Sequence, residues 1–222
     1  MQICADSADE LFEKVVTEMF NNKTEDSRMA YELVNANLEL TDPTKNTMCK
    51  CSRQMPLRYA IGELLWYNSC NPSWKAIHPY SKFWKNISDD GITVNSNYGY
   101  CIRKKYNFDQ WEMVKELLQN NPNSRQAVIH IKEARDLIAR PTKDVNCTIA
   151  LQFILRNNKL NLIATMRSND IWLGLPYDLF NFTCMQIQMA MELGVDIGHY
   201  YHNAASLHLY KNDVEKLHVN NN

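Results

Sequence analysis

Residues 148–166 read TIALQFILRNNKLNLIATM. Two runs rich in Ile, Leu and Phe, Thr148–Leu155 and Leu160–Met166, flank Asn157-Asn158, and this predicts two strands joined by a hairpin turn. Working outward, Ala127–Ile131 reads as another strand, and Tyr200–Leu209 as a final strand or extended segment. Tyr31–Leu40 (YELVNANLEL) alternates apolar and polar residues like a half-buried strand and is ended by Asp42-Pro43. Helical spacing recurs in Asp9–Asn21 through Leu11, Phe12, Val15, Val16, Met19 and Phe20. It recurs in the buried stretch Leu57–Tyr67 (LRYAIGELLWY) and in Asp109–Leu118, stopped by Asn120-Asn121-Pro122. Phe180–Leu193 predicts a long, Met-rich apolar helix. Strands and helices mix without a regular βαβ alternation, so the expected class is α+β with a largely antiparallel or mixed sheet.

Six glycines and seven prolines in 222 residues leave no linker-like stretch, and no long repeat is present, so residues 1–222 read as a single domain. With 45% hydrophobic and 22% charged residues the chain has the makeup of a folded globular protein. Lys plus Arg number 24 against 25 Asp plus Glu, which argues against bulk nucleic-acid or anionic-membrane binding but allows a small phosphate pocket of a few arginines. The cysteines number seven, an odd count, the N-terminus Met1–Glu10 is polar and acidic, and no run approaches the roughly 18 apolar residues of a membrane helix. The expectation is free thiols in a reducing cytoplasm, with Asn220-Asn221-Asn222 as a frayed end.

Several clusters of chemistry-bearing residues stand out. Cys49, Cys51 and Cys70 lack the spacing of a zinc knuckle, and His199, His202 and His208 match no H-E-x-x-H pattern, so no metal is expected. Cys147 stands just before an apolar strand and after a polar loop, where a thiol can face a cleft and act as a nucleophile or simply remain a free thiol. Arg167-Ser168-Asn169-Asp170 follows the next strand and fits either a phosphate grip or a solvated turn. Glu63, inside an apolar helix, is either functional or paired with a partner such as Arg58.

Taken together, Gly62-Glu63-Leu64-Leu65-Trp66, Asn97-Tyr98-Gly99, Asn121-Pro122-Asn123-Ser124-Arg125, Cys147 with Gln152-Phe153, Met166-Arg167-Ser168-Asn169-Asp170, Leu173-Gly174-Leu175-Pro176-Tyr177-Asp178 and His208-Leu209-Tyr210 carry a specific order and spacing. From about Glu25 to Tyr210 the chain resembles the thymidylate synthase family, which includes phage deoxycytidylate hydroxymethylases. The resemblance implies a mixed sheet packed by helices, a sheet-to-sheet homodimer, and one-carbon transfer from 5,10-methylenetetrahydrofolate to C5 of a pyrimidine nucleotide. The implied catalytic set is Cys147, attacking ring C6, with Glu63, Asp178 and Tyr98. Arg28, Arg167 and Ser168 would bind phosphate, Arg125 would reach the neighbouring subunit's site, and His208 and Tyr210 would hold the sugar. Trp84, Asp170 and Gly174 would line the folate side. Guanidinium groups around Cys147 would depress its thiol pKa.

Asp178 stands where uracil-specific members of the family carry an Asn. A carboxylate there would set lone pair against lone pair at uracil O4, whereas it can accept from cytosine N4 and, if a proton is shared, satisfy N3. Thr148 in place of His, Ser206-Leu207-His208 in place of Asp-Thr-His, and the segments 94–99 and 166–170 resemble the hydroxymethylase version. The expected reaction is dCMP to 5-hydroxymethyl-dCMP. A dUMP-directed synthase or hydroxymethylase, and a silent nucleotide-binding homologue, stand as alternatives. Gln126 replaces a second intersubunit Arg, and the sequence ends 12 residues after Tyr210, short of the family's folate-closing C-terminal segment.

Overall fold

The computed structural model describes residues 2–25, 29–137 and 141–219. In chain order the elements are β1 (Gln2–Ala5), α1 (Ala8–Asn22), β2 (Thr24–Glu25), β3 (Ala30–Leu40), α2 (Leu57–Ser69), α3 (Trp74–Ile77), α4 (Phe83–Ile87), α5 (Tyr98–Arg103) and α6 (Gln110–Asn120). They continue with β4 (Val128–His130), β5 (Thr148–Arg156), β6 (Lys159–Met166), β7 (Asn169–Asp170), α7 (Leu175–Leu193), β8 (Asp196–Tyr210) and α8 (Lys211–Val219). The sheet runs β1-β3-β8-β6-β5-β4, with β2 added on β3 and β7 on β8.

The hairpin expected from residues 148–166 forms as β5 and β6, antiparallel, with Arg156 opposite Lys159. Asn157 and Asn158 sit at φ 52° and 60°, the two left-handed positions that the twist of a two-residue hairpin demands and that Asn tolerates. β6 pairs parallel with β8, and β1 parallel with β3, so the sheet is mixed. One face is largely apolar, with the buried His202 among its side chains. Leu151, Phe153 and Leu155 lie beside Leu160, Leu162, Ala164 and Met166, then Tyr200 and Ala204, all buried beneath α7 and α1. The opposite face, with Ile154, Ile163, Thr165, Tyr201 and Asn203, is only partly covered within one chain.

Two departures from the sequence reading matter. Helix α7 starts at Leu175 rather than Phe180, because Pro176 falls in the first turn, where its missing N–H has no partner to lose. That places Asp178 on the helix rather than in a loop. Strand β1, the short helices α3 to α5 and the terminal α8 were not foreseen; most are too brief to show a period, and β1 is held by its parallel pairing with β3. The frayed end expected at Asn220-Asn221-Asn222 lies outside the described residues. Among the described residues no helix is long and apolar enough to cross a membrane.

Helix α5 presses against the C-terminal end of α2 at Gly99, where a Cβ would stand 1.7 Å from the carbonyl oxygen of Tyr67. Asn97 locks this junction, capping Tyr100 N at 2.7 Å and donating to Trp66 O at 3.2 Å. Gly99→Ala is expected to cost about 3 kcal/mol or more, because backbone rather than a flexible side chain must yield. A urea melt within 1 kcal/mol of wild type would contradict this.

Candidate active site

Because Thr148 faces Met166 across the hairpin, Cys147 and Arg167 meet just beyond its open end. Arg167 N donates to Cys147 O at 2.9 Å. Its guanidinium donates to Asn146 O at 3.1 Å and Val145 O at 2.8 Å, and its Nη2 lies 3.6 Å from Cys147 Sγ. The thiol pKa is raised, not depressed as the sequence reading held. Burial is the largest cause and Asp178 and Asp144 add to it, while Arg167 and Lys132 pull the other way. Among the described residues one guanidinium, not several, contacts the sulfur.

Two carboxyls face the same space. Glu63, on α2, accepts from Tyr59 Oη at 2.7 Å and from Asn181 Nδ2 of α7 at 2.8 Å. Burial pushes it up to about 7. The Arg58 pairing weighed from sequence is absent: Arg58 donates instead to Pro79 O at 3.3 Å. Asp178 retains some surface, yet burial and then the charge of Glu63 push it up to about 8, while its hydrogen bond from Asn169 opposes the rise. Two carboxyls kept from ionising together can divide the roles of acid and base. Tyr98 is buried in the same pocket, where Asp178 and Cys147 add to the burial that raises its hydroxyl.

Behind Asp178 runs a chain of hydrogen bonds. Asn169 Nδ2 donates to Asp178 Oδ2 at 2.7 Å, Asn169 Oδ1 lies 3.1 Å from His202 Nε2, and His202 Nδ1 lies 2.8 Å from Tyr200 Oη. Gly174 leaves room for it, since a Cβ there would come within 2.9 Å of Asn169 Nδ2 and 3.4 Å of Asp178 Oδ2.

The remaining expected residues fall around this centre. Ser168 Oγ lies 3.4 Å from His208 Nδ1, and Tyr210 stands edge-on to the His208 ring at the end of β8. Asp170 caps the following turn, one oxygen accepting from Trp172 N and Leu173 N at 2.7 Å each, the other 4.0 Å from His208 Nε2. Trp84 is buried and donates to Tyr59 Oη at 3.1 Å, which ties it to Glu63. Phe83 beside it is 55% exposed and Leu173 57%, apolar surface left open. Arg125 is exposed, its carbonyl accepting from Gln152 at 2.9 Å, and none of its described contacts reaches Cys147 or Arg167. Arg28 lies outside the described residues.

Sequence reasoning assigned no role to Tyr59, Asn181, Arg53, His202 or Tyr200. Arg53 stacks on Trp172 at 4.6 Å and donates to Tyr177 Oη at 3.2 Å, bracing that aromatic wall. The signal for His202 was present: in β8 alternate residues point inward, and a His among Tyr200, Ala204 and the buried face needs polar partners.

Over residues 9–221 the chain matches the family model described as thymidylate synthase. It belongs to the thymidylate synthase family. It is 34% identical over 188 residues to the deoxyuridylate hydroxymethyltransferase of Bacillus phage SP01, covering 79% of this chain and 49% of that protein. To the thymidylate synthase of Bacillus subtilis subsp. natto it is 29% identical over 180 residues, covering 76% and 62%. The chain thus spans less than two thirds of the length of either curated relative. The solved thermostable thymidylate synthase A from Bacillus subtilis shares the fold with a TM-score of 0.82 over 96% of this chain and 84% of that one, at 20% identity.

Proposed function

We propose that the chain is a homodimeric deoxycytidylate 5-hydroxymethyltransferase, converting dCMP to 5-hydroxymethyl-dCMP with 5,10-methylenetetrahydrofolate and water. The observation that carries this reading is Asp178, a largely desolvated carboxyl with some surface left, pushed up to about 8 at the proposed base-reading position. A neutral acid presents one donor and one acceptor, the complement of cytosine N3 and N4–H₂. Cys147 adds through sulfur to C6 while Asp178 delivers its proton toward N3, so the electrons pushed into the ring leave C5 nucleophilic. 5,10-Methylenetetrahydrofolate, as co-substrate, would supply the one-carbon unit to C5 and leave as tetrahydrofolate, after which water would add to the exocyclic methylene and the sulfur would leave C6. The exposed apolar surface of Phe83, backed by the buried Trp84, and that of Leu173, beside Asp170 and Gly174, suit a flat heteroaromatic ring. Glu63, at about 7, is poised to take the C5 proton and to orient water through Tyr59 and Asn181. Arg167, Ser168, His208 and Tyr210 would hold phosphate and sugar, joined by Arg28.

Incubation of dCMP and dUMP in parallel with the folate, read by mass spectrometry, tests the assignment. The expected product is 5-hydroxymethyl-dCMP; turnover of dUMP alone would reject it. A second reading, hydroxymethylation of dUMP, is favoured by the name of the phage relative. Failure to release tritium from C5 of either nucleotide would instead favour a silent homologue.

The half-covered sheet face is the surface on which a second copy would pack, bringing Arg125 to the neighbouring site. Mixing Cys147→Ser with Arg125→Ala protein is expected to restore activity toward about one quarter of wild type, since random exchange yields one intact site in half of the dimers. Absence of any rescue would place Arg125 in its own subunit's site.

A further inference from the structure

The buried hydroxyl of Tyr200 sets a direction on the hydrogen bonds behind Asp178. Tyr200 and His202 are both 0% exposed, and among the described residues the Tyr200 hydroxyl has no hydrogen-bond partner other than His202 Nδ1. A buried O–H left without an acceptor costs roughly 1–3 kcal/mol, so Tyr200 donates and Nδ1 accepts. His202, held neutral by its burial, then carries its hydrogen on Nε2 and donates to Asn169 Oδ1. That turns the Asn169 amide so that Nδ2 donates to Asp178 Oδ2. Every link is a donor facing an acceptor, and reversing one link reverses all of them.

We propose that Tyr200, acting through His202 and Asn169, fixes the proton of Asp178 on Oδ1, the oxygen turned away from Asn169, and so makes this acid a donor to ring N3 of cytosine. The inference rests on the dCMP reading and deepens it. A neutral carboxyl free to carry its proton on either oxygen would also match uracil, with N3–H and O4 exchanging roles. With Oδ2 held as acceptor, an Oδ1–H set against N3 meets a lone pair in cytosine and a hydrogen in uracil. Tyr200, His202 and Asn169 are positioning residues, since the chain reaches the base only through Asp178.

The relative kcat/KM for dCMP over dUMP is the readout, because a purely structural role for Tyr200 would lower both values together. Tyr200→Phe removes one hydroxyl and frees the chain to run in either direction; the ratio is expected to fall roughly tenfold at neutral pH. Asn169→Ala, which releases Oδ2 directly, is expected to lower it at least as far. An unchanged ratio in the folded variants would overturn the proposal. Independently of any variant, ¹⁵N NMR of histidine-labelled protein is expected to show His202 as the neutral Nε2–H tautomer, and an Nδ1–H tautomer would overturn it. Asp178→Asn separates the two levels. If it leaves dCMP turnover intact, the base reading itself fails; if it abolishes turnover while Tyr200→Phe leaves the ratio unchanged, only the relay fails.

Discussion

Asp178→Asn is expected to lower dCMP turnover by roughly 10²–10⁴-fold while dCMP still binds, and to move the substrate ratio toward dUMP. An amide can offer an N–H to cytosine N3 but cannot give up the proton. Attack by sulfur at C6 then leaves negative charge on the ring that the acid would have neutralised. Single-turnover kinetics with both nucleotides would check this, and a variant as fast as wild type on dCMP would refute it. The same substitution has a stability signature of defined sign. The carboxyl has an ordinary value of 3.8 and is raised to about 8 when folded, so between those limits the folded state holds more protons than the unfolded one. Stability therefore falls as pH rises through that window. Glu63, raised from 4.5 to about 7, acts in the same direction. Asp178→Asn removes its share of this loss, so above pH 8 the variant is expected to be more stable than wild type, by an amount on the order of kilocalories per mole. Urea melts at pH 5 and pH 9 would show a larger gain at pH 9 than at pH 5, since pH 5 lies only just inside the titration window. An equal change at both would indicate repacking rather than titration.

Cys147→Ser is expected to reduce turnover by at least roughly 10⁴-fold, the scale on which a site loses rate when its nucleophile goes and its binding groups remain. Equilibrium binding of dCMP to this variant should stay near wild type, since Arg167, Ser168 and His208 are untouched. A retained rate would remove Cys147 from the chemistry. The raised thiol pKa adds a second expectation: in the free protein, alkylation by iodoacetamide is slow at pH 7 and accelerates as pH rises toward and past 9. Rapid alkylation at pH 7 would mean that cations outweigh burial at the sulfur. Among the described residues Arg167 is the one guanidinium in contact with it, so in the proposed mechanism nucleotide binding would complete the activation.

Much of the fold was legible in local pattern. The Asn157-Asn158 hairpin, the helix through Glu63 and the strand over Tyr31–Leu40 all form within a residue or two of their expected bounds, because each follows from a period or a turn preference that needs no distant partner. The strand's alternation is nevertheless broken at Val34-Asn35, where Asn35 takes a left-handed φ. The start of α7 was misplaced since Gly174 and Pro176 read as turn punctuation, and only packing of Leu175 and Leu179 into the core shows that the first turn continues the helix. Strand β1 carries four residues and no readable period; its place comes from the edge of β3. At the site, motif order pointed to Cys147, Glu63, Arg167 and Asp178. The expectation of a depressed thiol failed because counting arginines along a chain says nothing of how many reach the sulfur or how much water it loses.

The residues proposed as reacting groups, the hairpin that opposes Cys147 to Arg167 and the presence of an acid at position 178 were legible in the order of residues alone, since they depend on side-chain chemistry and short-range backbone preference. The protonation of that acid, the neighbourhood it shares with Glu63 and the direction imposed on it by Tyr200, His202 and Asn169 were decided only when α2, α7, β7 and β8 came together. Burial and hydrogen-bond direction are properties of surroundings, and residues 63, 169, 178 and 202 acquire those surroundings only from each other.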